Sequence, residues 1–151
     1  MNLTGAFLCA KHAIPPMIEA GGGSVVVTSS IAGSVIGAGG SAASYAVSKA
    51  GLIQLARQIA VDYGHQGIRA NAIQPAAIQD SRLAAHARDD AQQMTGSPPA
   101  ERLPRPKPWL LIPKMGHPRD EYGATVAFLL SDDAGYITGA TLPVDGGYLA
   151  T

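Results

Sequence analysis

The chain of 151 residues carries one cysteine, Cys9, so it can form no intrachain disulfide, and a reducing, cytoplasmic setting is the expectation. Charge is also scarce: 15% of residues are Asp, Glu, Lys or Arg, with 11 basic residues against 11 acidic ones. That balance offers no electrostatic footprint for nucleic acid and no polybasic anchor for a membrane. No basic segment followed by an apolar run opens the chain, so no signal peptide is expected. His12, His65, His86 and His117 lack the spacing of zinc ligands, so no metal site is expected. Glycine (18 residues) and proline (11) are plentiful but not periodic, which excludes collagen, and 46% hydrophobic residues exclude a disordered chain.

One run could be mistaken for a membrane span. Residues 20–48 contain no Asp, Glu, Lys, Arg or His, and 29 residues exceed a bilayer-spanning length. Fifteen of the 29 are Gly, Ser or Thr, however, and the strongly apolar ones cluster at Val25, Val26 and Val27. The run therefore reads as a short strand and a small-residue loop rather than a membrane helix.

What is present is an alternation of helices and strands. Leu3, Phe7, Ala10, Ile14, Met17 and Ile18 form a helical stripe over residues 2–19, with Pro15 and Pro16 expected to distort its last turn and Gly21, Gly22 and Gly23 to stop it. Residues 24–29 are β-branched and nearly all apolar, as in a strand covered on both faces. A second helix is expected over 42–63, packing through Ala46, Leu52, Ile53, Leu55, Ala56, Ile59 and Ala60 and ended by Gly64 and Gly67. Residues 68–73 alternate as a further strand closed by Pro75; a third helix should begin near Pro118, and 140–145 should be a last short strand. Helices between strands predict an α/β, Rossmann-type parallel sheet in a single, partial domain spanning 1–151. Residues 80–117 depart from this pattern. Six of the 11 prolines lie between Pro98 and Pro113, so the segment reads as a loop or lid inserted in the domain. Trp109, Leu110, Leu111 and Ile112 fit either a lid over a substrate pocket or core packing. Cys9, beside the helical stripe, is expected to be a small buried residue.

Chemistry is suggested by Tyr45 and Lys49, four residues apart on the second helix and hence one turn from each other on one face. A phenol is a poor base near neutrality, and an ammonium about 5 Å away stabilises phenolate by roughly 3 kcal/mol at an effective dielectric of ~20. The spacing alone also describes an ordinary solvated helix face. Its context is more telling. Ser29 and Ser30 stand at the carboxyl end of the strand, where open α/β sheets bind ligands, and Tyr45 follows Ser30 by fifteen residues.

This order, Ser and then Tyr-x-x-x-Lys, resembles the short-chain dehydrogenase/reductase family, and the resemblance runs along nearly the whole chain. Asn2, Leu3, Gly5 and Phe7 resemble the start of the family's central helix. Residues 68–75 resemble its strand before a Pro-Gly turn, and residues 137–147 its carboxyl-terminal signature. The resemblance implies NAD or NADP as cofactor and a small-molecule alcohol or carbonyl as substrate. It implies Tyr45 as acid/base, Lys49 as the residue that stabilises its phenolate and bonds the nicotinamide ribose, and Ser30, preferred to Ser29, as the residue orienting the substrate oxygen. Asn2 would match the residue that holds a water of the proton relay. Pro75, Ala76 and Ile78 would border the nicotinamide, and Ser81, by a one-residue shift past Asp80, would stand for a cofactor-binding Thr. Homo-oligomers through helices 2–19 and 43–63 are implied as well.

The sequence departs from the family in several places. The Ser30-to-Tyr45 interval is somewhat long, Ala76 replaces the turn glycine, and residues 80–113 match nothing specific. No Gly-rich turn after a first strand precedes these motifs, so the chain resembles the rear half of a dehydrogenase, as from a truncated gene, an internal start or a fragment of a longer sequence. The strand at 24–29 is then expected to present an unpaired apolar edge. Two other outcomes remain open: an inactive remnant that acts only by association, or an isomerase or dehydratase on the same scaffold. Arg69 and Asp145, though inside family-like motifs, read as structural pairing residues.

Overall fold

The computed structural model describes residues 2–35, 43–76, 78, 111, 112 and 114–150. Helix α1 (Asn2–Glu19) leads to strand β1 (Gly23–Thr28), helix α2 (Ala43–Tyr63) to β2 (Ile68–Pro75), and a π-turn (Pro118–Gly123) into helix α3 (Ala124–Leu130) and then β3 (Thr141–Val144). The strands form one parallel sheet in the order β1-β2-β3, with Gly23 opposite Ile68 and Thr28 opposite Ile73, then Ala72 opposite Thr141 and Pro75 opposite Val144. The expected Rossmann-type architecture is present as three strands with helices on both faces. No described helix is long and apolar enough to cross a membrane.

β2 occupies the centre because its residues suit both faces. Ile68, Ala70 and Ala72 are buried toward α1 and α2, with Ala10, Ile14, Val27, Leu52, Ile53, Ala56 and Ile59. Ile73 points the other way, to Leu129 and Ala134 beneath α3, as the period-two alternation of a strand requires. Two small residues, Ala70 and Ala72, let α2 lie close to the sheet. β1 has a neighbour on one side only, so its outer edge is unpaired among the described residues.

Polar side chains fix the register of the loops. Buried Asn71 donates to the Ile137 carbonyl (2.9 Å) and accepts from the Ala140 amide (3.0 Å), holding the segment that feeds β3. Arg69 donates to the carbonyls of Leu129 (2.8 Å) and Ser131 (2.9 Å), capping the orphan acceptors at the end of α3. Asp145 accepts from the amides of Gly147 and Leu149. Arg69 and Asp145 are thus structural, as expected.

α1 ends at Glu19, as expected, with Pro15 and Pro16 inside it, and closes with Gly22 donating to Met17 (2.9 Å), Gly21 being left-handed at φ 85°. One expectation is corrected, and one of two open alternatives is excluded. Cys9 is exposed, because the step of about 100° per residue turns it away from its buried neighbour Ala10. Leu111 and Ile112 are 63% and 56% exposed, so neither is core. Trp109, Leu110 and nearly all of the 80–113 segment lie outside the described residues.

Candidate active site

Strand β1 delivers three consecutive residues to the carboxyl end of the sheet, and each has a different task. The Thr28 carbonyl accepts from Lys49 Nζ at 2.8 Å. Ser29 is buried, its amide donating to the Ile73 carbonyl and its hydroxyl to the Lys49 carbonyl at 2.6 Å. Ser30 is half-buried and extended, and caps the short helix Ile31–Gly33 by accepting from the Ala32 amide at 3.2 Å. Ser29 is therefore spent on joining β1 to α2, which leaves Ser30 as the serine hydroxyl at the site's margin. Gly33 makes this junction possible: a Cβ there would stand 2.9 Å from both the Lys49 carbonyl carbon and the Ser29 hydroxyl.

On α2, Lys49 Nζ lies 5.6 Å from the centroid of the Tyr45 ring, the spacing expected one helical turn apart. Burial pushes the Lys49 ammonium below the ordinary lysine range. One of its three donors is taken by Thr28; among the described residues no other partner is recorded, so donors remain for a hydroxylated ligand. That donor set fits the nicotinamide ribose of a dinucleotide. Asn2 stands at the start of α1, where its side-chain amide is 3.4 Å from the Ser48 hydroxyl, which itself donates to the Tyr45 carbonyl at 2.7 Å. Asn2 is thus brought beside the Tyr45–Lys49 turn, touching its Ser48 rather than Lys49.

A second group gathers at the ends of β2 and β3. Buried Pro75 lies opposite Val144, the Ala76 amide is 3.4 Å from the Val144 carbonyl, and Ile78 forms an isolated parallel bridge with Gly116. A cavity of about 320 Å³ opens here, lined by Ala76, Glu121, Tyr122, Val144 and Asp145 among others. Ser81 lies outside the described residues.

Two residues that the sequence did not single out connect or border these groups. Gln74, 2% exposed, donates to the Ser30 carbonyl (3.0 Å) and the Ser34 hydroxyl (2.6 Å), tying the first group to the strand that ends in Pro75. No sequence signal sets Gln74 apart from any other polar residue before a proline. Tyr122, buried on the π-turn, forms a wall of the cavity. No group of three or more His, Cys, Asp or Glu side chains converges among the described residues.

Comparison with known proteins gives the arrangement its family. Residues 1–149 match the family model described as enoyl-(acyl carrier protein) reductase. A probable short-chain type dehydrogenase/reductase of Bradyrhizobium diazoefficiens is 44% identical over 149 residues, covering 99% of this chain and 48% of the relative. The cis-4-hydroxycyclohexanecarboxylate dehydrogenase of Sinomonas cyclohexanicum is 40% identical over 150 residues, covering 99% and 54%. Among solved structures, ligand-free Thermoplasma acidophilum aldohexose dehydrogenase superposes with a TM-score of 0.77 at 37% identity, covering 100% of this chain and 57% of that one.

The fold and the matches define an oxidoreductase-type Rossmann sheet. The chain belongs to the short-chain dehydrogenase/reductase family and spans about half the length of the curated relatives it matches.

Proposed function

We propose that this chain carries the catalytic half of an NAD- or NADP-dependent oxidoreductase that interconverts a small-molecule alcohol and its carbonyl. The observation that carries the reading is Lys49, which lies over the Tyr45 ring and is tied by Nζ to the Thr28 carbonyl, two residues before Ser30. A bound nicotinamide would supply the hydride acceptor for oxidation and the hydride donor for reduction. Tyr45 takes the hydroxyl proton as phenolate in oxidation and gives it back as phenol in reduction. The Lys49 ammonium stabilises that phenolate and donates to the ribose, while the Ser30 hydroxyl bonds the substrate oxygen and fixes its distance to Tyr45. Asn2 stations a water for the relay at the start of α1. Pro75, Ala76 and Ile78 border the nicotinamide; Ser81 and most of residues 80–117, to which the resemblance assigns a cofactor contact and the substrate loop, lie outside the described residues.

The test is fluorescence titration with NADH and NADPH, followed by a panel of alcohols and carbonyls read at the nicotinamide absorbance band. The panel includes cis-4-hydroxycyclohexanecarboxylate, the alcohol named for the Sinomonas relative. Saturable binding and Tyr45-dependent turnover are expected; no binding at millimolar cofactor would overturn the reading.

A second reading, an inactive chain that acts by association, is favoured by the edge of β1, unpaired among the described residues, and by the apolar residues displayed on α1 and α2. Phe7 is 56%, Leu8 48% and Val61 76% exposed. Pairing of copies through these two helices is compatible with either reading.

A further inference from the structure

The short helix Ile31–Gly33, which follows Ser30, is a single 3₁₀ turn. Fixing one isolated turn is unfavourable, since few bonds form for the dihedrals restrained. Its own bonds are indeed few: Gly33 donates to the Ser30 carbonyl and Ser34 to the Ile31 carbonyl, each at 2.9 Å. Further support comes from one side chain on β2. The Gln74 amide nitrogen lies 3.0 Å from the Ser30 carbonyl oxygen and 2.6 Å from the Ser34 hydroxyl. Ser30 caps the start of the turn and Ser34 its end, so a single nitrogen spans both caps.

Hydrogen-bond valence fixes what each group does. A backbone carbonyl only accepts, so the Gln74 nitrogen, not its oxygen, must face Ser30, and its second N–H goes to Ser34. The Ser30 hydroxyl is itself an acceptor, taking the Ala32 amide at 3.2 Å. No acceptor for the Ser30 hydroxyl proton is recorded among the described residues, so that proton is free to be donated to a ligand. Gln74 is 2% exposed, whereas Ser30 is half-buried and Ser34 faces solvent. The turn is thus anchored from the interior, where water competes little for the amide. Gly33, inside the turn, lies against the Lys49 carbonyl and the Ser29 hydroxyl with no room for a Cβ.

We propose that Gln74 is a positioning residue: by bonding both caps of the turn, it holds the Ser30 hydroxyl with its acceptor side on Ala32 and its proton toward the substrate oxygen. For that substrate the proposal rests on the function proposed above; the contacts stand without it. In this role Gln74 acts through Ser30. Its share in the reaction should therefore vanish once the Ser30 hydroxyl is gone. Both Gln74 bonds would survive that change, because they are made to a backbone carbonyl and to Ser34.

The experiment is a double-mutant cycle in the full chain, combining Ser30→Ala with Gln74→Met, which keeps the length of the side chain and removes both donors. Ser30→Ala should lower turnover about a hundredfold, as loss of a donor to a reacting oxygen does. Gln74→Met alone should lower it about tenfold, but less than about twofold when added to Ser30→Ala, with NADH affinity unchanged. A merely structural loss would cost the same factor in either background. Ser34→Ala, at an exposed hydroxyl, should give a smaller loss with the same dependence on Ser30, and serves if Gln74→Met does not fold. Independently of turnover, the Hα–Hβ couplings of Ser30 in NMR should report one rotamer in wild type and averaging in Gln74→Met. The Gly33 amide should exchange about fivefold faster in that variant, the worth of one ordinary hydrogen bond, while the Ala72 amide keeps its protection. Equal losses in the two backgrounds, or a single Ser30 rotamer in wild type and variant alike, overturn the proposal. A wild-type chain with neither cofactor binding nor turnover removes the functional reading instead, and the Ser30 couplings then decide alone whether Gln74 positions this serine.

Discussion

The side-chain amide of Gln74 donates to the Ser30 carbonyl at 3.0 Å, so the strand that closes at Pro75 holds the backbone of the serine proposed to orient substrate. One buried amide thereby joins the two clusters at the carboxyl edge of the sheet, and its second bond, to the Ser34 hydroxyl, pins the loop that follows. Neither cluster needs to be rigid alone, because this link fixes their relative position.

Replacing Gln74 with Leu should therefore weaken the fold and loosen the loop after Ser30. The Ser30 carbonyl and Ser34 hydroxyl lose a common partner in a site that is 2% exposed, which should cost about 1–3 kcal/mol. Urea midpoints at constant m-value measure the loss; a midpoint equal to wild type would contradict it.

Tyr45→Phe should leave the far-ultraviolet circular dichroism unchanged and lower turnover by about 10² to 10⁴, the usual share of a general acid/base. Lys49→Met should lower turnover and weaken cofactor binding as well, since the ribose donor goes with the charge. Steady-state rates and cofactor titration of the two variants, side by side, separate the roles.

Lys49 also predicts a pH effect on stability. Burial lowers its folded-state pKa, so the folded chain sheds this proton at a lower pH than the unfolded chain does. Between the two values the unfolded state binds more protons, and stability rises with pH. Wild type should show this alkaline gain in denaturant midpoint, and Lys49→Met should lack it. An identical pH slope in both proteins would sink the assignment.

At low concentration the chain should unfold over a broad range, and association should sharpen the transition, because the outer edge of β1 is unpaired among the described residues and the outer faces of α1 and α2 present apolar groups. Sedimentation velocity with Phe7→Asp, at a position 56% exposed, should shift the population toward monomer. A sharp, concentration-independent transition for dilute monomer contradicts the expectation.

Much of the fold was legible because period and punctuation agreed. The stripe through Ala10 and Ile14, the valine run at 25–27 and the small residues of β2 each admit one dominant solution, and the boundaries differ by a residue or two. Tyr45 and Lys49 were readable as neighbours because helical spacing sets them one turn apart; the chemistry assigned to them came from the resemblance. What the sequence could not disclose depends on contacts between distant segments. Gln74 looks like any polar residue before a proline, and its worth comes from a carbonyl 44 positions away. Tyr122 looked like part of an ordinary amphipathic helix, because no periodicity announces a π-turn. Cys9 misled for a simpler reason: a step of about 100° can carry the neighbour of a buried helical residue out to the surface, as it does here.

At the far end of the sheet, the turns at Gly22 and Gly67 meet back to back, a Cβ on Gly22 falling 2.7 Å from the Gly67 carbonyl oxygen. A single added methyl group would wedge the strand starts apart, where Gly23 faces Ile68. Should the strands reseat one step along, Val25 and Val27 would both turn to the opposite face, and the Thr28, Ser29 and Ser30 triplet would arrive out of phase with Lys49. Mutational tolerance at these two glycines is therefore governed by chemistry occurring at the opposite pole of the molecule.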